Sequence, residues 1–132
     1  MKRESWLPAE PESAAAARGL VRDAASEVGL EQGAVWDLQL ATTEAVANAV
    51  MHGVPCEEHG FLVRIECCEE GLCVEVCDCG QFVPRFAISE AGELGAVSGR
   101  GLPIIAAVSD LFEIAPDQEQ TRVRFGKRLE AA

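Results

Sequence analysis

Three polar side chains stand at helical spacing in the mostly apolar segment 34–52. Glu44, Asn48 and His52 are four residues apart, so on a helix they line one face at intervals of about 6 Å. Burying a carboxylate and a carboxamide among Ala and Val is costly unless both have partners. The carboxylate could act as a general base, and the amide oxygen is a ligand that Mg²⁺ accepts. An exposed Glu44 and an Asn48 bonded to backbone would explain the same pattern, and His52 is predicted to meet the helix dipole at the end of the segment.

Two further short motifs could contact a ligand. Asp78 precedes Gly80 at the end of a predicted strand and shares its apolar face, so the carboxylate could accept a hydrogen bond from an amine such as that of adenine. A strand-end Asp beside Gly is, however, more often part of a turn. Gly99 and Gly101 flank Arg100 before a predicted helix, where free N–H groups and a cation favour phosphate. Taken alone, this Gly-x-Gly favours an ordinary capped loop, and neither a P-loop nor a dinucleotide-fold pattern surrounds it.

Hydrophobic periodicity predicts the elements that position these residues. Segments 12–28 and 34–52 have helical spacing, and Ser13 and Gly29 are predicted as the N-cap and the stop of the first helix. The predicted strands are 61–68, 72–79, 111–115 and 121–125, with a short edge strand at Trp6-Leu7 and a third helix at 99–109. Two hairpins alternating with helices predict an α+β fold, with helices on one face of an antiparallel or mixed sheet.

Length and composition predict a single domain over residues 1–132. A formal net charge of −11 excludes the large basic face that a free nucleic-acid surface requires. No apolar run reaches the ~18 residues of a membrane span, and the N-terminus lacks the apolar stretch of a signal peptide. We therefore expect a cytoplasmic protein that binds neither nucleic acid nor membrane, and whose cysteines are reduced thiols.

Six cysteines are present, and most of them fall in the first predicted hairpin. Cys73, Cys77 and Cys79 alternate onto one strand face, with Cys68 across the turn, and four such thiols could bind Zn²⁺. Their spacing is not that of paired Cys-x-x-Cys motifs. We favour small strand residues as the explanation, and a metal or redox sensor stays the alternative from a different function class.

Taken in their order along the chain, the motifs resemble those of the GHKL (histidine-kinase-like) ATPase superfamily. The chain is most similar to the anti-sigma-factor serine-protein kinases of bacterial partner switching. Segment 44–53 resembles the family's N-box, 78–80 its G1 box and 99–102 its G2 box. The family pattern is also matched at Leu7-Pro8-Ala9, at Arg18 and at Thr121. The resemblance therefore covers nearly the whole chain.

This resemblance implies a Bergerat fold, a two-layer sandwich with helices on one face of a mixed, mostly antiparallel sheet. It implies that Glu44 is the general base, Asn48 the Mg²⁺ ligand and Asp78 the adenine anchor. The other ATP-binding residues would be Gly80, Gly99, Arg100, Gly101, Leu102 and Thr121. Residues 81–98 would form the lid over ATP.

The resemblance also implies partners. Members phosphorylate a serine of a STAS-type anti-anti-sigma protein, hold a sigma factor inactive and usually form homodimers. A non-catalytic module, in which ATP orders the lid for binding, is the alternative. Two positions depart from the family pattern: one glycine stands before Gln81-Phe82 in the G1 box, and Gln120 precedes Thr121 where many relatives have glycine. These departures predict weaker contacts at the adenine end.

Overall fold

The computed structural model describes residues 1–80, 101–116 and 120–129. In chain order the elements are β1 (Lys2–Leu7), α1 (Ser13–Val28), α2 (Gln32–His52), β2 (Phe61–Cys68), β3 (Gly71–Asp78), α3 (Gly101–Val108), β4 (Leu111–Pro116) and β5 (Thr121–Lys127). The order predicted from periodicity is confirmed. The proposed lid at 81–98 lies outside the described residues, as do Gly99 and Arg100.

Five strands form one open sheet in the order β1-β2-β3-β5-β4. Each pairing between described strands is antiparallel, where the sequence predicted a mixed and mostly antiparallel sheet. The edge strand β1 is longer than the predicted Trp6-Leu7, because it pairs with β2 from Lys2 opposite Glu66 to Leu7 opposite Phe61. Pro8, which has no N–H for a ladder, follows its last residue.

The helices cover one face of the sheet, and the core lies between the two layers. Alternate residues of β2 and β3 point into it and are at most 3% exposed. These residues are Phe61, Val63, Ile65, Leu72, Val74 and Val76. The helices meet them with mainly small side chains, among them Ala17, Ala24, Ala41 and Ala45. Each large side chain removed from water contributes about 1.5–3 kcal/mol, so this core supplies most of the driving force for the α+β sandwich.

The opposite face of the sheet is polar. Arg64 donates to Glu4 at 2.5 Å and to Glu75 at 2.6 Å, so one guanidinium joins side chains on three neighbouring strands. Within the described residues, no helix has both the length and the apolarity needed to cross a bilayer.

Both long helices begin differently from the prediction. α2 starts at Gln32, ahead of the predicted residue 34, because the Glu31 carboxylate accepts hydrogen bonds from the N–H groups of Gly33 and Ala34 at 3.0 and 3.2 Å. Ser13 is not the N-cap of α1: its hydroxyl donates to the Pro8 carbonyl at 2.6 Å, and Glu12 occupies the cap position without a side-chain bond. The stop at Gly29 is confirmed, since its φ of 73° is left-handed.

We expect Glu31→Ala to lower the free energy of unfolding by about 1 kcal/mol, because two N–H groups at the start of α2 lose their acceptor. Urea unfolding followed by circular dichroism measures the change. Glu12→Ala is the matched control: Glu12 holds the same cap position on α1 but makes no capping bond, so its loss should leave the midpoint unchanged. Equal effects of the two substitutions would contradict the assigned cap.

Candidate functional site

The helix α2 presents Glu44 and Asn48 one turn apart, as predicted. Both residues are half-buried, between the fully buried Ala45 and Ala49 on the core side and the solvent. The amide nitrogen of Asn48 is buried and has no hydrogen-bond partner among the described residues. Buried polar atoms are nearly always paired. Glu44 is thus not fully exposed, and the Asn48 amide nitrogen has capacity for a hydrogen bond to a ligand.

Arg18 of α1 holds the turn of α2 that carries Glu44. Its guanidinium donates to the Thr43 hydroxyl at 3.0 Å, and its carbonyl oxygen accepts from the Gln39 amide at 3.4 Å. Thr43 also donates back to the Gln39 carbonyl at 2.9 Å. These bonds fix the rotation of α2 against α1. Arg18, which sequence analysis identified only by its likeness to the family, therefore positions the turn of α2 that carries Glu44.

The C-terminal end of α2 meets the C-terminal end of β3 at Asp78. A side chain at Gly53 would place its Cβ 2.7 Å from the Ala49 carbonyl oxygen and 2.9 Å from Asp78 Oδ2. The N–H of Cys79 donates to the Val54 carbonyl at 2.8 Å. The glycine that ends α2 is therefore also the residue that lets the helix approach the carboxylate.

Asp78, Gly80 and Thr121 form one cluster. Asp78 pairs with Thr121 across β3 and β5. Asp78 Oδ1 accepts from the Gly80 N–H at 2.7 Å, and the Thr121 hydroxyl donates to the Gly80 carbonyl at 2.9 Å. Burial raises the pKa of the Asp78 carboxyl, while backbone hydrogen bonds from Gly80 and Val54 oppose that rise. Asp78 therefore takes part in the predicted turn and also directs its carboxylate inward, as the alternative prediction stated.

The helix α3 begins at Gly101, the second glycine of the Gly-x-Gly motif. Leu102 and Ile105 are buried, and α3 packs against α2. The start of α3 is therefore held on the same helix that carries Glu44 and Asn48. The roles predicted for Gly99 and Arg100 fall on residues outside the described part of the chain.

Cys56 and Cys79 form a disulfide, so the expectation that every cysteine is a free thiol is wrong. Cys79 is thereby removed from the predicted four-thiol cluster. Of the others, the Cys68 and Cys73 sulfurs lie 3.5 Å apart, and burial raises the pKa values of Cys73 and Cys77 to about 12. No group of three or more potential metal ligands occurs among the described residues. Sequence reasoning missed Cys56, for which the only signal was an even cysteine count.

We expect Gly53→Ala to lower the free energy of unfolding by about 1–3 kcal/mol, because the new methyl group overlaps the Ala49 carbonyl and the Asp78 carboxylate. Thermal and urea unfolding measure the loss. Gly19→Ala is the control within a helix: its Cβ would meet only Arg22 Nη2, at 3.8 Å, and it should stabilise the chain by about 0.5–1 kcal/mol. An unchanged stability in Gly53→Ala would contradict the close approach.

The fold and the motifs agree with what comparisons with known proteins find. The family model of the histidine kinase-like ATPase domain matches residues 7–127. Serine-protein kinase RsbW of Listeria innocua is 30% identical over 122 residues, which cover 85% of this chain and 78% of the relative. RsbW of Listeria monocytogenes serovar 1/2a matches with the same identity and coverage.

A solved structure shares the fold. In the crystal structure of the RsbU and RsbW domains of Rv1364c from Mycobacterium tuberculosis, the matched region aligns with all of this chain at a TM-score of 0.75 and 22% identity. This chain spans 33% of that protein. With the family match over residues 7–127, the conclusion is that this chain belongs to the histidine kinase-like ATPase domain family and, within it, groups with the RsbW serine-protein kinases.

Proposed function

We propose that this chain is an ATP-dependent serine-protein kinase that binds Mg-ATP between α2, α3 and the Asp78 end of the sheet. The observation that carries the proposal is the buried Asn48 amide nitrogen, a donor with no hydrogen-bond partner among the described residues, on the helix whose end packs against Asp78. A buried polar group without a hydrogen-bond partner costs stability unless a ligand supplies that partner. Membership of an ATPase-domain family supplies the nature of that ligand.

At the adenine end, Asp78 is the acceptor for the exocyclic amine of the base. Its carboxylate is half-buried and held by the Gly80 N–H, so it is oriented before the nucleotide arrives. Thr121 supports the same turn through the Gly80 carbonyl. A few oriented polar groups in a largely apolar surround are what gives a small-molecule site its specificity.

At the phosphate end, Asn48 would hold Mg²⁺, which when bound neutralises phosphate charge. The backbone N–H groups around Gly99, Arg100, Gly101 and Leu102 would face the phosphates from the start of α3. The buried Leu102 side chain anchors that start against the core. Residues 81–98 would close over the nucleotide as a lid. These assignments rest on the family resemblance together with the packing of α3 on α2.

Glu44 is the proposed general base. As the serine oxygen forms its bond to the γ-phosphorus and ADP leaves, Glu44 takes the hydroxyl proton. The Arg18 guanidinium donates to the hydroxyl of Thr43, the residue before Glu44, at 3.0 Å. This bond keeps the Glu44 carboxylate on the side of α2 that faces the site. Phosphoryl transfer depends mostly on positioning, and α2 places the base and the cation ligand on one rigid element.

The proposed partners follow from the same resemblance. The phosphorylated serine belongs to a STAS-type anti-anti-sigma protein, and the kinase holds a sigma factor inactive. It acts in the cytoplasm as a homodimer. The matched relatives are named serine-protein kinases, which supports a serine as the acceptor. The net charge of −11 favours protein partners over nucleic acid.

We expect calorimetric titration to show ATP binding that requires Mg²⁺ and is lost in Asn48→Ala. Asn48→Asp is the control, because it keeps an oxygen ligand at the same position and should retain Mg²⁺-dependent binding. Binding of equal strength in Asn48→Ala would remove Asn48 from the site. The absence of binding in the unmodified chain would overturn the nucleotide site as a whole.

Glu44→Gln should keep ATP binding within about threefold and lower phosphoryl transfer by about 10²-fold or more, because the variant keeps the shape of the side chain but cannot take a proton. Transfer is measured by the mass gained by a STAS-domain protein incubated with Mg-ATP. Glu12→Gln, at an exposed position outside the site, should transfer normally. Unimpaired transfer by Glu44→Gln would reject the assigned base, and no transfer by the unmodified chain would favour the non-catalytic binding module.

A further inference from the structure

The Cys56–Cys79 disulfide ties together the two segments that build the adenine end. Cys79 stands between Asp78 and Gly80, and Cys56 lies in the connection that follows α2. We propose that this pair is a reversible dithiol–disulfide site whose oxidised form holds the Asp78 turn in place and so binds adenine nucleotide more tightly than the reduced form. The proposal rests on the nucleotide site put forward above.

The geometry places the bond directly against the predicted ligand contacts. The two Cα atoms are 5.1 Å apart across 23 positions of sequence, a span that contains the whole β2–β3 hairpin. The Cys79 N–H donates to the Val54 carbonyl at 2.8 Å, and a Cβ at Gly80 would lie 2.9 Å from the Val54 side chain. The segment after α2 therefore packs on the turn at the exit of β3, and the disulfide locks that contact covalently.

Cys56 is itself held in a tight turn. Its N–H donates to the Gly60 carbonyl at 2.8 Å, and its carbonyl accepts from the His59 N–H at 2.9 Å. The anchor at the far end of the disulfide is thus ordered by the backbone around it. Through the disulfide, this ordered turn restrains the position of Cys79, which lies between Asp78 and Gly80.

The bond is accessible to a reductant. Cys79 is exposed and Cys56 is half-buried, so a small dithiol can reach the sulfurs. One thiolate of the dithiol attacks a sulfur and forms a mixed disulfide. Its second thiol then displaces the protein sulfur. Two electrons and two protons pass to Cys56 and Cys79, and the reductant leaves as a cyclic disulfide.

Two of the four remaining thiols are poor competitors for exchange with this bond. Cys73 and Cys77 are at most 4% exposed, and with pKa values of about 12 they are protonated near neutral pH. A protonated, buried thiol is not a nucleophile. Cys73 and Cys77 are therefore not expected to exchange with this bond, whereas Cys67 and Cys68 are half-buried free thiols, and the Cys68 sulfur lies 3.5 Å from that of Cys73.

Reduction leaves the Asp78 turn with only its hydrogen bonds and packing. The turn then samples more conformations, and a nucleotide must pay for ordering it on binding. Coupling between two sites is reciprocal. If oxidation strengthens nucleotide binding by some factor, bound nucleotide must make the disulfide harder to reduce by the same factor.

The test is calorimetric titration with Mg-ATP of the air-oxidised chain and of the chain reduced with dithiothreitol. We expect the oxidised form to bind about tenfold more tightly, within the usual range of coupling between sites. Cys56→Ser/Cys79→Ser should bind as the reduced form does in both buffers. Cys68→Ser, which leaves the pair intact, should respond to dithiothreitol as the unmodified chain does.

Redox titration in dithiothreitol buffers, with the disulfide measured by thiol alkylation and peptide mass, provides the reciprocal measurement. Saturating Mg-ATP should lower the midpoint potential by about 30 mV, which is a tenfold coupling for a two-electron couple. After denaturation, the oxidised chain should carry four alkylatable thiols, at Cys67, Cys68, Cys73 and Cys77. Unfolding curves of both forms confirm that the titrations are made on folded protein.

The outcomes separate this inference from the proposed function. ATP binding of equal strength in the two redox states overturns the inference and leaves the nucleotide site standing. A disulfide that maps to Cys68 and Cys73, or a redox response that persists in Cys56→Ser/Cys79→Ser, also overturns it. No binding in either state removes both.

Discussion

The packing of the end of α2 on the end of β3 is the contact on which the site depends. The helix lies so close to Asp78 that a Cβ atom added to Gly53 would be 2.9 Å from the Asp78 carboxylate. The Val54 carbonyl accepts a hydrogen bond from the Cys79 N–H. Without this approach, the helix that carries Glu44 and Asn48 and the strand that carries Asp78 would belong to separate parts of the sandwich. The approach is possible only for a residue with no side chain.

Small side chains along α2 make the same contact possible over its length. Alanines at 41, 45 and 49 are at most 5% exposed and face the sheet, so the helix axis lies close to β3 and β5. Such close packing tolerates little change in volume. At the other end of the sheet, Lys127 of β5 donates to the Asp37 carboxylate of α2 at 3.1 Å and to the Val108 carbonyl of α3 at 3.0 Å. One lysine therefore joins the sheet to both helices of the site.

The proposed site contains groups that cost stability in the absence of a ligand. The Asn48 amide is buried without a partner among the described residues, and burial raises the pKa of Asp78. A carboxyl whose folded-state pKa is raised binds its proton more tightly in the folded chain, so stability falls as the pH rises above the ordinary value of 3.8 through the raised one. Functional sites characteristically retain such unfavourable groups, which a ligand then completes.

The sequence alone predicts the element order, the two-layer class and the residues of the proposed site. Hydrophobic periods of 3.6 and 2 depend only on local geometry. Two short motifs, one with Glu44 and Asn48 and one with Asp78 and Gly80, can likewise be identified in the sequence. Helix starts were less predictable: Glu31 caps through a longer side chain than the Ser or Asp that usually marks this position. The full length of β1 depended on its pairing with β2, which no local pattern reports. The contact of Asp78 with Gly53 and the pairing of Cys56 with Cys79 are visible only in the folded chain. Contacts between such distant segments depend on how the helix layer packs on the sheet.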